Sequence, residues 1–176
     1  KAIADDADIN QITAKRWLEI LETLGIIFLL HHPYSNNVLK RTIKSPKLYF
    51  YDTGLVCYLT RWSSPEVAES GAMSGALLEN FTVSEIMKSY QNVGQEPFIH
   101  YYRDRDAKEI DVIIEGDGKL CPLEIKKTST PDKRITKTFK LIDKSPLKIG
   151  TSAVLCMADK LSAFDSNNLI VPIWLI

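Results

Sequence analysis

The chain has 176 residues, of which 45% are hydrophobic and 25% are charged. This composition is typical of one or two globular domains and excludes a disordered chain. Its 22 basic and 22 acidic residues leave no net charge, which argues against a protein that coats nucleic acid through its overall electrostatics. Any contact with a polyanion must therefore be local.

Several features of the sequence predict the compartment. Cys57, Cys121 and Cys156 form no C-x-x-C pair, so neither a disulfide framework nor a zinc knuckle is indicated. No stretch approaches the roughly 18 uninterrupted apolar residues of a membrane span, and the acidic start is unlike a signal peptide. We expect a soluble cytoplasmic protein with no membrane partner. Because no Met stands at position 1 and Ile3 and Ala4 already read as helical, we also expect a fragment of a longer protein.

The first part of the chain has the element order of a winged helix-turn-helix. A short helix, a polar turn at Asp8 to Asn10 and a second helix ending at Gly25 are predicted. Strands are predicted at 26–30 and 47–51, which completes the order of helices and wing. The aromatic residues of this part are expected in the core rather than on a base-stacking platform: Trp17, Tyr49, Phe50 and Tyr51.

Basic residues of this part are candidates for following a DNA backbone. The segment from 40 to 47 holds four basic residues and no acid, which we interpret as a basic wing. The candidate nucleic-acid contacts here are Lys15, Arg16, Lys40, Arg41 and Lys44. The open alternative is that this module packs against another part of the protein, because Asp5, Asp6 and Asp8 lie near the basic residues of the second helix.

A stretch containing Ser, Pro and Gly, from 63 to 75, predicts a boundary between two units. We therefore divide the chain into a winged-helix-like domain, residues 1–62, and a second domain, residues 75–176. The second domain is predicted to be mixed α/β, because its patterns give a helix, three strands, a helix and a strand. The predicted elements are a helix from Ala76 to Tyr90, a strand from Phe98 to Arg103, a hairpin, a helix from Thr130 to Asp143 and strands at 153–157 and from 169.

The stretch from 109 to 127, EIDVIIEGDGKLCPLEIKK, predicts the hairpin. Asp117-Gly118 favours a two-residue type I′ turn, because both central residues of that turn need positive φ. A three-residue loop would set Glu124 beside Ile110, an acid against the apolar face. The two-residue turn is therefore preferred, and it leaves one face of the hairpin apolar and the other charged.

This register brings charged residues together. It sets Asp111 opposite Glu124, Glu109 opposite Lys126 and Ile110 opposite Ile125. Two facing carboxylates raise one pKa or attract a cation, and Mg²⁺ is bound by one or two carboxylates plus water. Lys126 is then placed to orient or deprotonate a water on the metal, or to stabilise charge building on a phosphate. This is the chemistry of phosphodiester hydrolysis, with Mg²⁺ or Mn²⁺ as the predicted cofactor.

Asp111, followed after twelve residues by Glu124, Ile125 and Lys126, resembles the motif of the PD-(D/E)XK nuclease superfamily. The core of that superfamily is a restriction-endonuclease-like mixed sheet with a helix, a three-strand meander, a helix and a strand, the order predicted here. The resemblance implies Asp111 and Glu124 as metal ligands and Lys126 as a catalytic residue. A Glu on the first helix often joins the site, and Glu79 in GALLENF fits that position by order.

A broader resemblance covers essentially the whole chain. The stretches LEILETLGIIFLL, NNVLKRTIKSPKLYFYDTGL, GALLENFTVSEI, YYRDRDAKEIDVII and LEIKK together resemble the C-terminal domain of uncharacterised function that follows the P-loop module in prokaryotic AAA-type ATPases. This resemblance implies a winged-helix part, a nuclease-like part and a partner in the ATPase module of the same protein. The P-loop pattern G-x-x-x-x-G-K-[ST] does not occur in this sequence, so no ATP site is expected in it.

Two functions from different classes stay open at this point. The first is a metal-dependent DNA phosphodiesterase, in which Arg103 at the end of its strand would clamp a phosphate. The second is a catalytically silent module that binds DNA or a protein partner for the ATPase. In that case Arg103 belongs to a solvated turn, and the hairpin charges form a solvated face with an ion pair between Glu109 and Lys126.

Overall fold

The computed structural model of the chain describes residues 1–30, 45–104 and 106–176. Three of the candidate DNA contacts, Lys40, Arg41 and Lys44, lie outside these ranges and stay predictions. Within the described ranges the chain combines helices with a mixed β-sheet. The predicted mixed α/β class is therefore confirmed.

The N-terminal elements are two helices followed by a small antiparallel sheet. Helix α1 spans Ala2–Asp6, and α2 spans Gln11–Thr23. The Asn10 side chain accepts a hydrogen bond from the Thr13 amide at 2.8 Å, which caps the start of α2. After α2, Gly25 has a φ of 67°, a conformation that suits glycine at a helix end. The small sheet pairs two strands: β1 (Ile27–Leu30) and β2 (Lys47–Phe50).

Helices connect the small sheet to the large one. They are α3 (Thr53–Leu59), α4 (Pro65–Ser70) and α5 (Ser74–Asn92). Helix α3 begins after Asp52, whose side chain accepts hydrogen bonds from the Gly54 and Leu55 amides. Helix α4 lies inside the segment that the sequence marks as a boundary. Across the described ranges, no helix has the length and apolar character needed to cross a membrane.

The large sheet has seven strands in the described ranges, in the order β3-β4-β5-β7-β9-β8, with β6 paired to β5. Neighbours from β3 to β5 are antiparallel, β5, β7 and β9 run parallel, and β8 is antiparallel to β9. The sequence predicted all of these strands except the short β6 and β8. Their bounds are β3 (Ile99–Arg103), β4 (Glu109–Gly116), β5 (Lys119–Lys126), β6 (Lys148–Ile149), β7 (Ser152–Cys156), β8 (Ser162–Asp165) and β9 (Asn168–Pro172).

The helix between β5 and β6 is a 3₁₀ helix, Lys133–Ile142. Asp132 caps its start by accepting a hydrogen bond from the Arg134 amide at 2.7 Å. The sequence predicted a helix here, although with an earlier start. Side chains branched at Cβ lower the preference for an α-helix, and this helix contains several of them: Ile135, Thr136, Thr138 and Ile142.

The structure confirms the predicted hairpin turn between β4 and β5. Asp117 and Gly118 have φ values of 50° and 70°, as a type I′ turn requires. Gly116 pairs with Lys119 across this turn, and the ladder continues in the same register as far as Val112.

Strand β4 also contains a bulge that the sequence did not predict. Against β3, the register shifts by one residue between Ile113 and Ile110. Two β4 residues, Asp111 and Val112, therefore oppose the single residue Tyr101. Such an extra residue bends a strand and changes the direction of its side chains.

The bulge overturns two of the predicted cross-strand pairs. A regular strand would set Ile110 beside Ile125 and Glu109 beside Lys126. Instead, Ile110 packs in a different hydrophobic cluster from Ile125, and Glu109 pairs with Lys47 of β2. The two predictions were wrong because they assumed an unbroken alternation of side chains beyond Val112.

The hydrophobic core lies on both faces of the large sheet. One face packs against α5 and the small sheet in a shared cluster that includes Phe28, Leu30, Tyr49, Val83, Ile86, Ile99, Val112, Leu123 and Leu155. On the other face, Ile142 of the 3₁₀ helix packs against Ile110, Ile113 and Leu120. The small sheet is therefore part of the main core.

Among the aromatic residues of the N-terminal part, Tyr49 is buried and Phe50 and Tyr51 are partly buried, as expected. Trp17 is 54% exposed, so its predicted place in the core was wrong. Helix α2 buries its small residue Ala14 instead.

Candidate functional site

Strands β4 and β5 bring three of the predicted site residues together. Asp111 Oδ2 accepts a hydrogen bond from the Ile125 amide at 2.8 Å and lies 3.3 Å from Lys126 Nζ. Glu124 Oε2 lies 2.6 Å from the same nitrogen. The Lys126 ammonium therefore bridges two carboxylates from neighbouring strands, and we call Asp111 and Glu124 the carboxylate pair.

Glu124 is the more enclosed member of the pair, with 4% of its side chain exposed. The Thr138 hydroxyl of the 3₁₀ helix lies 3.0 Å from Glu124 Oε1 and 2.8 Å from the Ile135 carbonyl oxygen, so these two acceptors share its single proton. Burial and then the charge of Asp111 raise the pKa of the Glu124 carboxyl to about 7, although Lys126 and Thr138 act in the opposite direction. At neutral pH this carboxyl is therefore divided between its protonated and ionised forms.

Lys126 is a cation in this arrangement. Burial lowers the pKa of its amine, but the charges of Asp111 and Glu124 and their hydrogen bonds outweigh burial, so the pKa is raised. An amine with a raised pKa holds its proton at neutral pH. Of the roles predicted for Lys126, stabilising charge on a phosphate fits this geometry better than removing a proton from water.

Glu79, the predicted third acid, belongs to a second cluster. Its Oε1 accepts hydrogen bonds from Lys47 Nζ at 3.0 Å and from the Tyr49 hydroxyl at 2.8 Å. Lys47 also pairs with Glu109, and its Nζ lies 5.4 Å from the centre of the Tyr101 ring. The structure thus places Glu79 beside the small sheet, in contacts separate from those of the carboxylate pair.

Lys47 belongs to this second cluster, although the sequence predicts it as part of the basic wing. Burial lowers the pKa of Lys47, but Glu79 and Glu109 outweigh burial and raise it. Burial and the nearby carboxylates also raise the pKa of Tyr49. The available signal was the alternation of Lys47 and Tyr49 on one side of the strand KLYFY. The place of Lys47 in the structure is therefore between two acids that it neutralises, and not on an exposed basic wing.

The remaining candidate DNA contacts lie at the surface. Lys15 is 80% exposed on α2, with its Nζ 3.6 Å from Glu19 Oε1, and Arg16 beside it is also exposed. Arg103 ends β3 with 55% of its side chain exposed, and its Nε lies 3.9 Å from Glu109 Oε2. Arg103 therefore belongs to the rim of the second cluster.

The chemistry of the carboxylate pair fits a hard divalent cation. Asp111 and Glu124 offer oxygen donors, and Mg²⁺ is commonly held by one or two carboxylates with water in its other positions. Across the described residues, no group of three or more His, Cys, Asp or Glu side chains is placed to hold a metal. A cation here would therefore rely on water or substrate for its other ligands, and it would compete with the Lys126 ammonium for the same oxygens.

The fold and the site together define a mixed α/β protein with a lysine-bridged carboxylate pair on a hairpin of its main sheet. Residues 74–176 match a family model described as a domain of unknown function, DUF4143, and the chain belongs to this family. Residues 1–66 match the model of another domain of unknown function, DUF8612.

Relatives of the chain occur in mycobacteria. Uncharacterized proteins of Mycobacterium bovis and Mycobacterium tuberculosis are each 32% identical to it over 129 residues. The match covers 73% of this chain and 28% of each relative, so the chain spans less than a third of their length. No solved structure matches the chain significantly.

Proposed function

We propose that this chain is a metal-dependent phosphodiesterase module that acts on DNA. The observation that carries the proposal is the convergence of Asp111 and Glu124 on Lys126, at 3.3 and 2.6 Å. Two acids and a lysine in this arrangement supply what hydrolysis of a phosphodiester needs, namely oxygen ligands for Mg²⁺ or Mn²⁺ and a fixed cation near the reacting phosphate. The resemblance to PD-(D/E)XK nucleases supports a nuclease-like core for the large sheet.

In this proposal Asp111 and Glu124 hold the cation, and the Ile125 amide and the Thr138 hydroxyl orient them. When bound, the metal supplies Lewis-acid stabilisation of charge on the phosphate. Lys126, released from the carboxylates, turns its ammonium to the phosphate and stabilises the same charge. Glu79 has a part only if its bonds to the Lys47 and Tyr49 side chains open.

The module also has a proposed place in a larger protein. The resemblance across the whole chain supports a C-terminal position in a prokaryotic AAA-type ATPase, after its P-loop module. The mycobacterial relatives, which extend well beyond the matched region, are compatible with that arrangement. The helices α1 and α2 and the small sheet then form a winged-helix part, and Lys15 and Arg16 on α2 are its exposed basic residues.

Titration calorimetry with Mn²⁺ tests the proposal. It should be done at pH 8, where most of Glu124 is ionised. We expect the wild type to bind Mn²⁺ and the variants Asp111→Asn and Glu124→Gln, which keep the shape of the side chains, to lose that binding. Asp159→Ala removes an exposed acid and is the matched control. A wild type that binds no Mn²⁺ and nicks no plasmid DNA with it would sink the proposal.

The second candidate is a catalytically silent module that binds DNA or a protein partner. It is favoured by one observation: the Lys126 ammonium already neutralises the carboxylate pair, and no third ligand completes a metal group among the described residues. If Asp111→Asn leaves Mn²⁺ binding unchanged but alters thermal stability, the pair is a structural ion network and the silent module is the better description.

A further inference from the structure

A cavity of about 480 Å³ lies where β2, α3, α5 and the β3-β4 pair meet. Pockets that bind small ligands typically measure about 300–1,000 Å³, so the cavity is large enough for an organic ligand. One part of its wall is polar, and that part includes Glu109, two residues before Asp111 in β4. The cavity and the carboxylate pair therefore share one strand.

Much of the rest of the wall is apolar: Phe50, Val56, Trp62, Met73 and Leu77. Asn80 also lines the cavity, but its amide is already committed, because Oδ1 and Nδ2 bind the main chain of Phe50 at 2.7 and 2.8 Å. A flat aromatic ligand suits such a wall, since ring stacking and apolar contact give affinity without hydrogen bonds.

The polar part of the wall determines which hydrogen-bonding groups the edge of that ligand must carry. Glu79 and Glu109 have 28% and 26% of their side chains exposed, and both described contacts of Glu79 use Oε1. A carboxylate only accepts hydrogen bonds. Lys47 lies between the two acids in the same wall, so the part of the ligand edge that meets their carboxylate oxygens must donate, as the amino groups of cytosine, adenine and guanine do.

Arg103 adds a site for an anion at the rim of the cavity. Its Nε lies 3.9 Å from Glu109 Oε2, which is longer than a hydrogen bond, and the side chain is more than half exposed. The guanidinium is therefore loosely held, and it has the geometry that binds phosphate.

We propose that this cavity binds a nucleotide whose base carries an amino group, with the base against Trp62 and the apolar wall and the phosphate at Arg103. The nucleotide is either free or part of a single strand. The second case rests on the proposed function, because the bound nucleotide would then neighbour the phosphodiester held at the carboxylate pair. Binding of a free nucleotide needs no metal and stands apart from that function.

Calorimetric titration in EDTA tests the proposal, with the monophosphates of deoxycytidine, deoxyadenosine and thymidine as probes. We expect the two amino-bearing nucleotides to bind about tenfold more tightly than thymidylate, which presents a carbonyl oxygen in place of the amino group. Hexanucleotides of deoxycytidylate and thymidylate distinguish a free nucleotide from a nucleotide within a single strand. Preference for the hexanucleotide over its monomer assigns the cavity to a strand, and the reverse assigns it to a free nucleotide.

Substitutions place the binding in the cavity. Arg103→Ala should weaken the binding of deoxycytidylate about tenfold while leaving that of unphosphorylated deoxycytidine unchanged. Arg134→Ala is the matched control, because Arg134 is exposed on the 3₁₀ helix and lies outside the cavity lining, and it should change neither. Trp62→Ala should abolish binding. Because the Trp62 ring packs closely on Gly71, Met73→Ala is the second variant: Met73 is exposed, so its loss should weaken binding without unfolding the chain.

Three results would overturn the proposal: no binding of any probe, equal affinity for deoxycytidylate and thymidylate, or equal effects of Arg103→Ala and Arg134→Ala. Its failure can be told apart from that of the phosphodiesterase. If nucleotides bind in EDTA but Mn²⁺ does not bind, the nucleotide proposal stands and the phosphodiesterase proposal fails. If Mn²⁺ binds but nucleotides do not, the phosphodiesterase proposal stands and the nucleotide proposal fails.

Discussion

Glu124 illustrates how a single side chain connects stability with the site. Its carboxyl is enclosed by β5 and the 3₁₀ helix, beside the charge of Asp111, and its pKa is raised from an ordinary 4.5 to about 7. A carboxyl with a raised pKa holds its proton more tightly in the folded chain than in the unfolded one. Protonation of Glu124 therefore stabilises the fold, which is the reverse of the usual effect for an acid in an ion pair.

We expect the free energy of unfolding, measured with metal chelated, to fall as the pH rises from about 4.5 to about 7. In this window the folded chain binds a proton at Glu124 that the unfolded chain has released, so each step up in pH favours unfolding. Urea denaturation across this range measures the effect. Glu124→Gln cannot titrate and should show a flatter profile, and identical slopes for the two proteins would contradict the prediction.

The hydroxyl of Thr138 should influence both the pKa of Glu124 and the affinity of the carboxylate pair for Mn²⁺. Thr138→Val removes the hydrogen bond to Glu124, so we expect the pKa of Glu124 to rise further and Mn²⁺ affinity to fall about tenfold. Carboxyl NMR measures the first change and calorimetry the second. Thr136→Val is the matched control, because Thr136 lies on the same helix and binds the carbonyl three residues back just as Thr138 does. Equal effects of both variants would show that only the helix is perturbed.

At the scale of elements, the β4-β5 hairpin depends on its turn for register. The register decides which side chains meet across the ladder, and a slip by one residue would send every side chain of one strand to the other face. The turn is therefore the local feature that brings the carboxylate pair within reach of Lys126.

Gly118→Ala should destabilise the chain by about 1 kcal/mol, because a side chain at a φ of 70° is strained. Gly116→Ala is the matched control on the same hairpin. A Cβ at either position meets no atom within 4 Å, but Gly116 does not have a positive φ. Thermal unfolding of both variants isolates the cost of the backbone conformation, and an equal loss at both positions would argue against it.

The hairpin was predictable and the bulge was not, for physical reasons. Asp117-Gly118 specifies a turn through its own backbone preferences, so the sequence alone locates it. The extra residue at Asp111 and Val112 depends on how β3 lies, and Tyr101 opposite it is anchored by a hydrogen bond from its hydroxyl to the Ser45 carbonyl at 2.7 Å. The local sequence EIDVII cannot indicate the bulge, because the bulge depends on the contact between Tyr101 and Ser45, which are far apart in the sequence.

The contacts of Lys47 were also not predictable, because they too join residues that are distant in the sequence. The segment that leads into Lys47 has basic residues at 40, 41 and 44 and no acid, so the local pattern predicts an exposed charge. Its neighbours in space are Glu79 and Glu109, which lie 32 and 62 residues further along the chain. The second cluster is therefore a product of packing between the small and large sheets, whereas the carboxylate pair follows from the register of one hairpin.

At the scale of the whole molecule, the two predicted domains share a core. Phe28, Leu30 and Tyr49 of the small sheet pack in the same cluster as Val83 of α5 and Leu123 of the large sheet. This packing indicates that the small sheet does not fold as an independent body.

A substitution at Asn80 tests whether the small sheet and the large sheet unfold together, because the Asn80 amide on α5 hydrogen-bonds both the N–H and the C=O of Phe50 in β2. We expect Asn80→Ala to cost about 2 kcal/mol, since two main-chain groups lose their partner in a part-buried place. Tryptophan fluorescence and far-ultraviolet dichroism should report one coincident urea transition, shifted equally for both probes. Asn92→Ala, at the exposed end of the same helix, should change stability little. Separate transitions for the two probes would show two independent bodies.

The bulge in β4 also gives a criterion for comparing this chain with its relatives. A substitution near Asp111 changes one side chain, but deletion of one residue there would restore the regular alternation and reverse every side chain between the bulge and the start of β4. A relative that is one residue shorter between Glu109 and Val112 would turn the counterpart of Glu109 to the opposite face of the sheet, away from the counterpart of Lys47. The length of this short interval, and not only its residue types, therefore decides which members of the family can form the second cluster.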